Sequence, residues 1–170
     1  MKQLAHNDIE NHQQRFPITI VCDAIRTPEN IGMCFRICES FGVEKIYLHE
    51  SSPTIENRIV KRTARNTLAQ IEHETYSDFA TIIHKLKQEG NTIIGLEITD
   101  ESTSIQEFEF QNSSKIVLIL GGERHGIEDI QLVDQTVFIP MYGRNSSMNV
   151  VHSLAITLYE ITNQLLKKGH

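Results

Sequence analysis

The sequence predicts an α/β fold in which a largely parallel sheet is flanked by helices. Three observations carry that reading. Six short β-rich runs, at 18–22, 45–48, 71–75, 92–98, 116–120 and 136–139, alternate with segments of helical periodicity. The most apolar run, Ile116-Val117-Leu118-Ile119-Leu120, has strand length and falls far short of the roughly 18 residues a membrane span requires. The chain is 170 residues long, 39% hydrophobic and 22% charged, a size and balance that bury one core without disulfide or metal staples. One domain over 1–170 follows, with residues 1–15 as a short polar arm.

Each element has a local reason. Strand 18–22 leads into a helix that opens with Thr27 as N-cap and Pro28 at the first helical position. Ile31, Cys34, Phe35, Cys38 and Phe41 form its core-facing stripe, and Gly42 ends it. After strand 45–48, Arg58, Lys61, Arg62 and Arg65 recur at i, i+3, i+4 and i+7, so one helix face carries four cations. That face is either a stripe that tracks phosphates or a solvated surface. Strand 71–75 precedes a helix capped by Ser77 or Asp78, running through Glu89 and stopped by Gly90. Beyond strand 92–98 the stretch 99–114 is polar and acidic, a long connection with little core of its own, serving as a lid or as variable surface. Strands 116–120 and 136–139 precede a last helix from about Asn149 to Lys168. Val150, Leu154, Leu158, Ile161 and Leu165 face inward there, and Lys167 and Lys168 complement its C-terminal dipole.

Charge and cysteine content narrow the function. Lys and Arg number 16 against 22 Asp and Glu, a formal charge of −6, so the chain has no global attraction to nucleic acid or anionic membranes. Such a partner must be held by a local basic patch. The polar N-terminus has no signal-peptide core, and no membrane partner is expected. Cys22, Cys34 and Cys38 are odd in number and read as buried thiols of a reducing, cytoplasmic compartment. Cys34 and Cys38, at i and i+4, could share a metal, but no Cys-x-x-Cys or nearby His supports it and packing is the reading taken; His125 and His152 show no metal spacing, so no metal is expected.

Three segments place polar groups at strand ends, where open α/β sheets bind ligands. In the first, Thr27 to Arg36, Asn30 sits in the first helical turn near free N–H groups, and Gly32 lies one turn before Arg36, leaving a groove beside the guanidinium. Local capping and a solvated arginine explain the same residues. In the second, Gly121-Gly122-Glu123-Arg124-His125-Gly126 follows the most apolar strand, and its glycines admit close approach to the backbone. It lacks the Lys-Ser/Thr ending of a P-loop and the dinucleotide fingerprint; a tight strand-to-helix turn with Glu123 as a helix-start carboxylate accounts for it equally. In the third, Ile139-Pro140-Met141-Tyr142-Gly143-Arg144-Asn145-Ser146-Ser147-Met148-Asn149, Ser146 or Ser147 caps the last helix, and hydroxyl, amide and guanidinium groups gather in one loop.

Together and in this order, the segments resemble the SpoU/TrmH family of SPOUT-class RNA methyltransferases. Asn30, Gly32 and Arg36 match its Asn-x-Gly-x-x-x-Arg motif, and Gly121, Glu123 and Gly126 its Gly-x-Glu-x-x-Gly loop. Ile139, Pro140, Met141, Ser147 and Asn149 match its third motif, with Met148 in place of the commoner leucine. Gly122 stands where the family often has Asn, Ser or Pro. The resemblance spans about 18–168. It implies S-adenosylmethionine as methyl donor, a ribose 2′-hydroxyl of RNA as acceptor, a C-terminal trefoil knot and a homodimer with the site near the subunit interface.

The resemblance also implies roles. The donor lies against Leu96, Gly121, Gly122, Ile139, Met141, Ser147 and Met148. Arg36 is the catalytic arginine, orienting the acceptor's phosphate and stabilising a developing alkoxide, because an arginine stays protonated in ordinary surroundings. Asn30, Glu123, Ser147 and Asn149 hold that arginine and the ribose. Arg144 contacts RNA phosphate, together with the Arg58, Lys61, Arg62 and Arg65 face. The substrate is tRNA or rRNA, with tRNA favoured because the chain carries no N-terminal RNA-binding domain like that of many rRNA-directed relatives. The competing expectation is an inactive RNA-binding module of the same fold; the filled catalytic positions speak against it.

Overall fold

A computed structural model of the chain describes residues 3, 13–110, 113 and 115–168. Most of the expected polar arm, residues 111, 112 and 114 of the long connection and the Lys168 side chain therefore lie outside the described residues. Seven strands form one sheet: β1 (Phe16–Cys22), β2 (Val43–His49), β3 (Glu72–Tyr76), β4 (Thr92–Leu96), β5 (Thr103–Ser104), β6 (Ile116–Leu120) and β7 (Gln135–Phe138). Their order is β3-β2-β1-β6-β4-β7-β5, and every pairing is parallel. The helices are α1 (Pro28–Ser40), α2 (Arg58–Ala64), α3 (Phe79–Gln88) and α4 (Val150–Lys168).

The unbroken apolar run at 116–120 becomes β6, which lies between β1 and β4 with all five residues buried. A strand apolar on both faces needs cover on both, and the helices supply it. On one face α1 and α4 cover Ile18, Ile20, Leu118 and Leu120 with Cys34, Phe35, Cys38, Leu154, Leu158 and Ile161. On the other, α3 covers Val21, Val117 and Ile119 with Phe79, Ile82, Ile83 and Leu86. The three cysteines are free and buried, as their spacing suggests. Asp78 caps α3, its side chain accepting from the Thr81 N–H at 2.7 Å.

Four expectations are corrected. Strand β4 ends at Leu96 rather than at 98, because the Glu97 side chain folds back to accept from the Ile98 N–H at 3.0 Å. The 99–114 connection is anchored: Thr103–Ser104 pairs with β7, and Ile105 and Phe110 are buried. The Phe110 N–H donates to the Gln164 side chain, which donates in turn to the Phe108 carbonyl. Pulling out Phe110 alone would cost about 2–3 kcal/mol, too much for a freely opening lid. The cationic stripe is shorter than its spacing suggests, because α2 ends at Ala64 and Arg65 adopts φ 58°, leaving the helix face of Arg58, Lys61 and Arg62. Gly32 leaves no groove for Arg36. It is buried against α2, where a Cβ would lie 2.7 Å from the Thr63 Cβ and 2.8 Å from the Val60 carbonyl oxygen.

Candidate active site

The parallel arrangement brings the carboxyl ends of β1, β4, β6 and β7 to one edge of the sheet, and the three polar segments meet there. Gly121 and Gly122 leave β6 and turn back through Gly126, with reciprocal Gly122–Gly126 backbone hydrogen bonds of 2.9 and 3.1 Å. A Cβ on Gly121 would come within 2.5 Å of the Gly126 carbonyl carbon, so the turn closes only with hydrogen at that position. No α-helix follows it; a single 3-10 turn, Ile130–Leu132, leads to β7.

Glu123 stands at the tip of this turn and serves a different helix from the one its sequence position suggests. Its Oε2 accepts from the Arg26 N–H at 3.1 Å, and its Oε1 accepts from the Thr27 N–H at 3.2 Å and the Asn30 side-chain amide at 3.1 Å. The Thr27 side chain makes no capping bond of its own. The start of α1 is thus capped by a carboxylate from the turn after β6, the strand next to β1 in the sheet. Burial alone would raise the Glu123 pKa; the N–H groups of Arg26 and of Glu123 itself, with Asn30 and Thr27, outweigh it and hold the carboxyl below its usual range.

The third segment joins through the same amide. The Asn30 Oδ1 accepts from the Asn149 side chain at 3.3 Å. The Asn149 Oδ1 in turn accepts from the Val151 N–H at 2.9 Å, so Asn149, rather than Ser146 or Ser147, caps α4. Being uninvolved in the cap, Ser147 lines the cleft beside Asn149. Glu123, Asn30 and Asn149 form one hydrogen-bonded chain across all three motifs.

Behind this chain lies a cleft of about 490 Å³, within the range of small-molecule sites. Leu96, Gly121, Gly122, Ile139, Met141, Ser147 and Met148, the seven residues expected against a donor, all line it. The sequence reading missed Glu97, Ile98 and Phe138 on the same wall. Their one signal was position at strand ends, which extending β4 to residue 98 concealed. Asp23, also missed, fixes the base of the turn: its Oδ2 accepts from the Glu128 N–H at 2.6 Å. Burial drives its pKa above the usual range, and its Oδ1 has no partner among the described residues.

Arg36 is half-buried on α1, with Nη1 4.0 Å from the Met33 sulfur and no ion pair to any described carboxylate. Its guanidinium is free to meet an anionic ligand. Arg144 is exposed on the third segment beside Tyr142 and does not line the cleft. Arg58, Lys61, Arg62 and Arg65 are exposed, with Lys61 paired to Glu56. Among the described residues, no group of three His, Cys, Asp or Glu side chains is placed to hold a metal.

Comparison with known proteins bears on this arrangement. The model of the SpoU rRNA Methylase family matches residues 17–159. The chain is 26% identical over 164 residues to the 23S rRNA (guanosine-2′-O-)-methyltransferase RlmB of Neisseria meningitidis, covering 95% of this chain and 64% of that protein. It is 25% identical over 154 residues to the tRNA (guanosine(18)-2′-O)-methyltransferase of Escherichia coli, covering 89% and 66%. The chain therefore spans just under two thirds of these relatives. Among solved structures, the fold is similar to that of the A. aeolicus TrmH/SpoU tRNA modifying enzyme, with a TM-score of 0.82 at 23% identity over 92% of this chain and 79% of that one. It is also similar to the AdoMet complex of AviRb from Streptomyces viridochromogenes, with a TM-score of 0.79 at 19% identity over 89% and 61%.

Proposed function

The chain belongs to the SpoU rRNA methylase family, and from that premise we propose that it transfers a methyl group from S-adenosylmethionine to a ribose 2′-hydroxyl of RNA, with tRNA as the preferred substrate. The observation that carries the reading is the Glu123–Asn30–Asn149 chain, which joins three motifs distant in sequence around one cleft. The preference for tRNA draws on the E. coli tRNA relative and the A. aeolicus tRNA modifying enzyme.

The cleft fits the donor. Leu96, Ile139 and Met148 offer apolar walls, and the glycine turn exposes backbone for close approach. Leu96, Gly121, Gly122, Ile139, Met141, Ser147 and Met148 hold it. Bound there, S-adenosylmethionine supplies a methyl group on a sulfonium, open to in-line displacement. The residues of the chain position the acceptor. Arg36 orients the phosphate of the target nucleotide and stabilises negative charge as the 2′-hydroxyl gives up its proton to solvent water. Asn30 and Asn149, held by Glu123, fix the wall against which the ribose rests, and Ser147 offers a hydroxyl to it. Arg58, Lys61, Arg62, Arg65 and Arg144 track the RNA backbone beyond the site.

The same reading includes a trefoil knot, a homodimer and a cytoplasmic setting. The path of the chain supports the knot: it leaves β6, passes β4 to reach β7, and returns through 139–149 to the glycine turn. The outer face of α4 supports the dimer, since Ile156, Tyr159 and Leu166 are exposed along it. Three buried free thiols support a reducing compartment.

Incubation with methyl-labelled S-adenosylmethionine and an unmodified tRNA transcript, followed by nuclease digestion, tests the reading. Label is expected in 2′-O-methyl nucleosides. Label confined to methylated bases, or none in any RNA offered, would overturn it.

A further inference from the structure

Glu97 is a carboxylate inside the cleft to which neither the three motifs nor the mechanism gives a task. It directly follows β4, and its backbone N–H donates to the Val137 carbonyl at 3.0 Å, so the main chain there is held by the sheet. Its side chain is fixed as well, because Oε1 accepts from the Ile98 N–H at 3.0 Å. The other oxygen lies over Gly126, where a Cβ would sit 2.4 Å from Oε2. Gly126 also has φ +67°, so the turn itself favours glycine, and the missing side chain leaves room for the carboxylate resting on it.

Among the described residues, no Lys, Arg or His pairs with Glu97, and Oε2 accepts no hydrogen bond. A ligand that fills the cleft removes Oε2 from solvent and must offer it a donor, since a carboxylate left dry and unpaired is costly. Beside it the walls are apolar, Leu96 and Ile139 among them, suited to the flat face of a base. A carboxylate at a strand's carboxyl end, next to an apolar slot and a glycine turn, is the placement by which α/β nucleoside sites hold ribose hydroxyls.

We propose that Glu97 binds the ribose hydroxyls of the methyl donor's adenosine, an assignment that rests on the donor occupying this cleft. The fixed Oε1 sets the carboxylate plane, and Oε2 accepts from the sugar. Glu97 thereby selects a ribonucleoside donor without touching the methyl group or the RNA.

Calorimetric binding of S-adenosylhomocysteine, 5′-methylthioadenosine and the 2′,3′-dideoxy form of the latter, to wild type, Glu97→Gln and Glu97→Ala, tests this. 5′-Methylthioadenosine keeps the nucleoside and lacks the amino-acid chain. Glu97→Ala should weaken both hydroxyl-bearing ligands by the same factor, about 10- to 100-fold, and bind the dideoxy ligand as wild type does. Glu97→Gln, which keeps an acceptor oxygen and the side-chain volume, should fall between. A loss for S-adenosylhomocysteine with none for 5′-methylthioadenosine would assign Glu97 to the ammonium group and overturn the proposal. Unchanged binding of both in both variants would overturn it too, while leaving the donor site standing. Failure of the wild type to bind S-adenosylhomocysteine would remove the donor site itself, and this assignment with it.

Discussion

The Glu123 carboxylate accepts from the Asn30 side-chain amide at 3.1 Å, although 93 positions separate the two residues. The same carboxylate closes the open end of α1, and the other side of the Asn30 amide reaches Asn149 at the start of α4. The starts of two helices, α1 and α4, are thereby tied to one strand-end turn that lines the cleft. Glu123 also lines the cleft, so loosening it should disturb the Asn30–Asn149 link most and the cleft wall less.

Replacing Glu123 with alanine removes a long-range cap, worth about 1 kcal/mol, and frees Asn30. Methyl transfer should fall well below wild type, and by a larger factor than affinity for S-adenosylhomocysteine, since Glu123 also lines the cleft. The carboxyl is held below its usual pKa in the fold, so its contribution is present above its unfolded value, about 4.3, and is lost as pH falls through the lower folded value. Melting temperatures of wild type and Glu123→Gln should therefore converge on acidification through about pH 4 and below. A gap independent of pH would mean the carboxylate charge does nothing for the cap.

Asp23 carries the opposite sign. Its folded pKa is raised by burial, so the fold favours its protonated form. That stabilisation is complete below the unfolded value, about 3.9, and is lost as pH rises through the folded value. Asp23→Asn cannot take up this charge. The stability of the variant minus that of wild type should grow as pH rises from about 4 through the raised folded value; denaturation curves with a constant difference would contradict the assignment.

Gly32→Ala places a methyl group against Thr63 and the Val60 carbonyl. The expected cost is about 1–3 kcal/mol of overpacking, read by chemical denaturation, with donor affinity of the folded protein unchanged. This glycine belongs to a functional motif, yet its task is the α1–α2 contact. A stable variant with lost donor binding would reverse that conclusion.

Neutralising Arg58 and Arg62 together by glutamine should weaken RNA binding and flatten its salt dependence, by about 0.7–0.9 in the log–log slope per lost phosphate contact. S-adenosylhomocysteine affinity should not move. An unaltered slope would place the RNA path elsewhere, despite the exposure of both side chains on α2.

The sheet was largely legible in the sequence because its signal is local. The run at 116–120 is apolar on both faces and that at 18–22 nearly so, Thr19 excepted, and their cover by helices follows from the burial each face needs. Thr103–Ser104 was not legible: two polar residues pair with β7 only because the chain around them is pinned by Phe110 and Gln164. Arg65 was misplaced because spacing cannot register a change to positive φ at the end of α2. The three motifs could be recognised, but the identity of the caps could not. Glu123 reaches α1 from the neighbouring strand end, and Asn149 displaces Ser146 and Ser147 as the α4 cap, through contacts that only the folded chain creates. Glu97 stayed hidden for the related reason that its conformation, rather than its neighbours in sequence, turns it into the cleft.

Ribose 2′-O-methylation is the central claim, and the acceptor atom tests it most directly. With the labelled nucleotide mapped, two RNAs differing only by a 2′-deoxy substitution at that position are offered with S-adenosylmethionine. Transfer to the ribose form and none to the deoxy form is the predicted result; continued methylation of the deoxy RNA at that nucleotide would contradict the account.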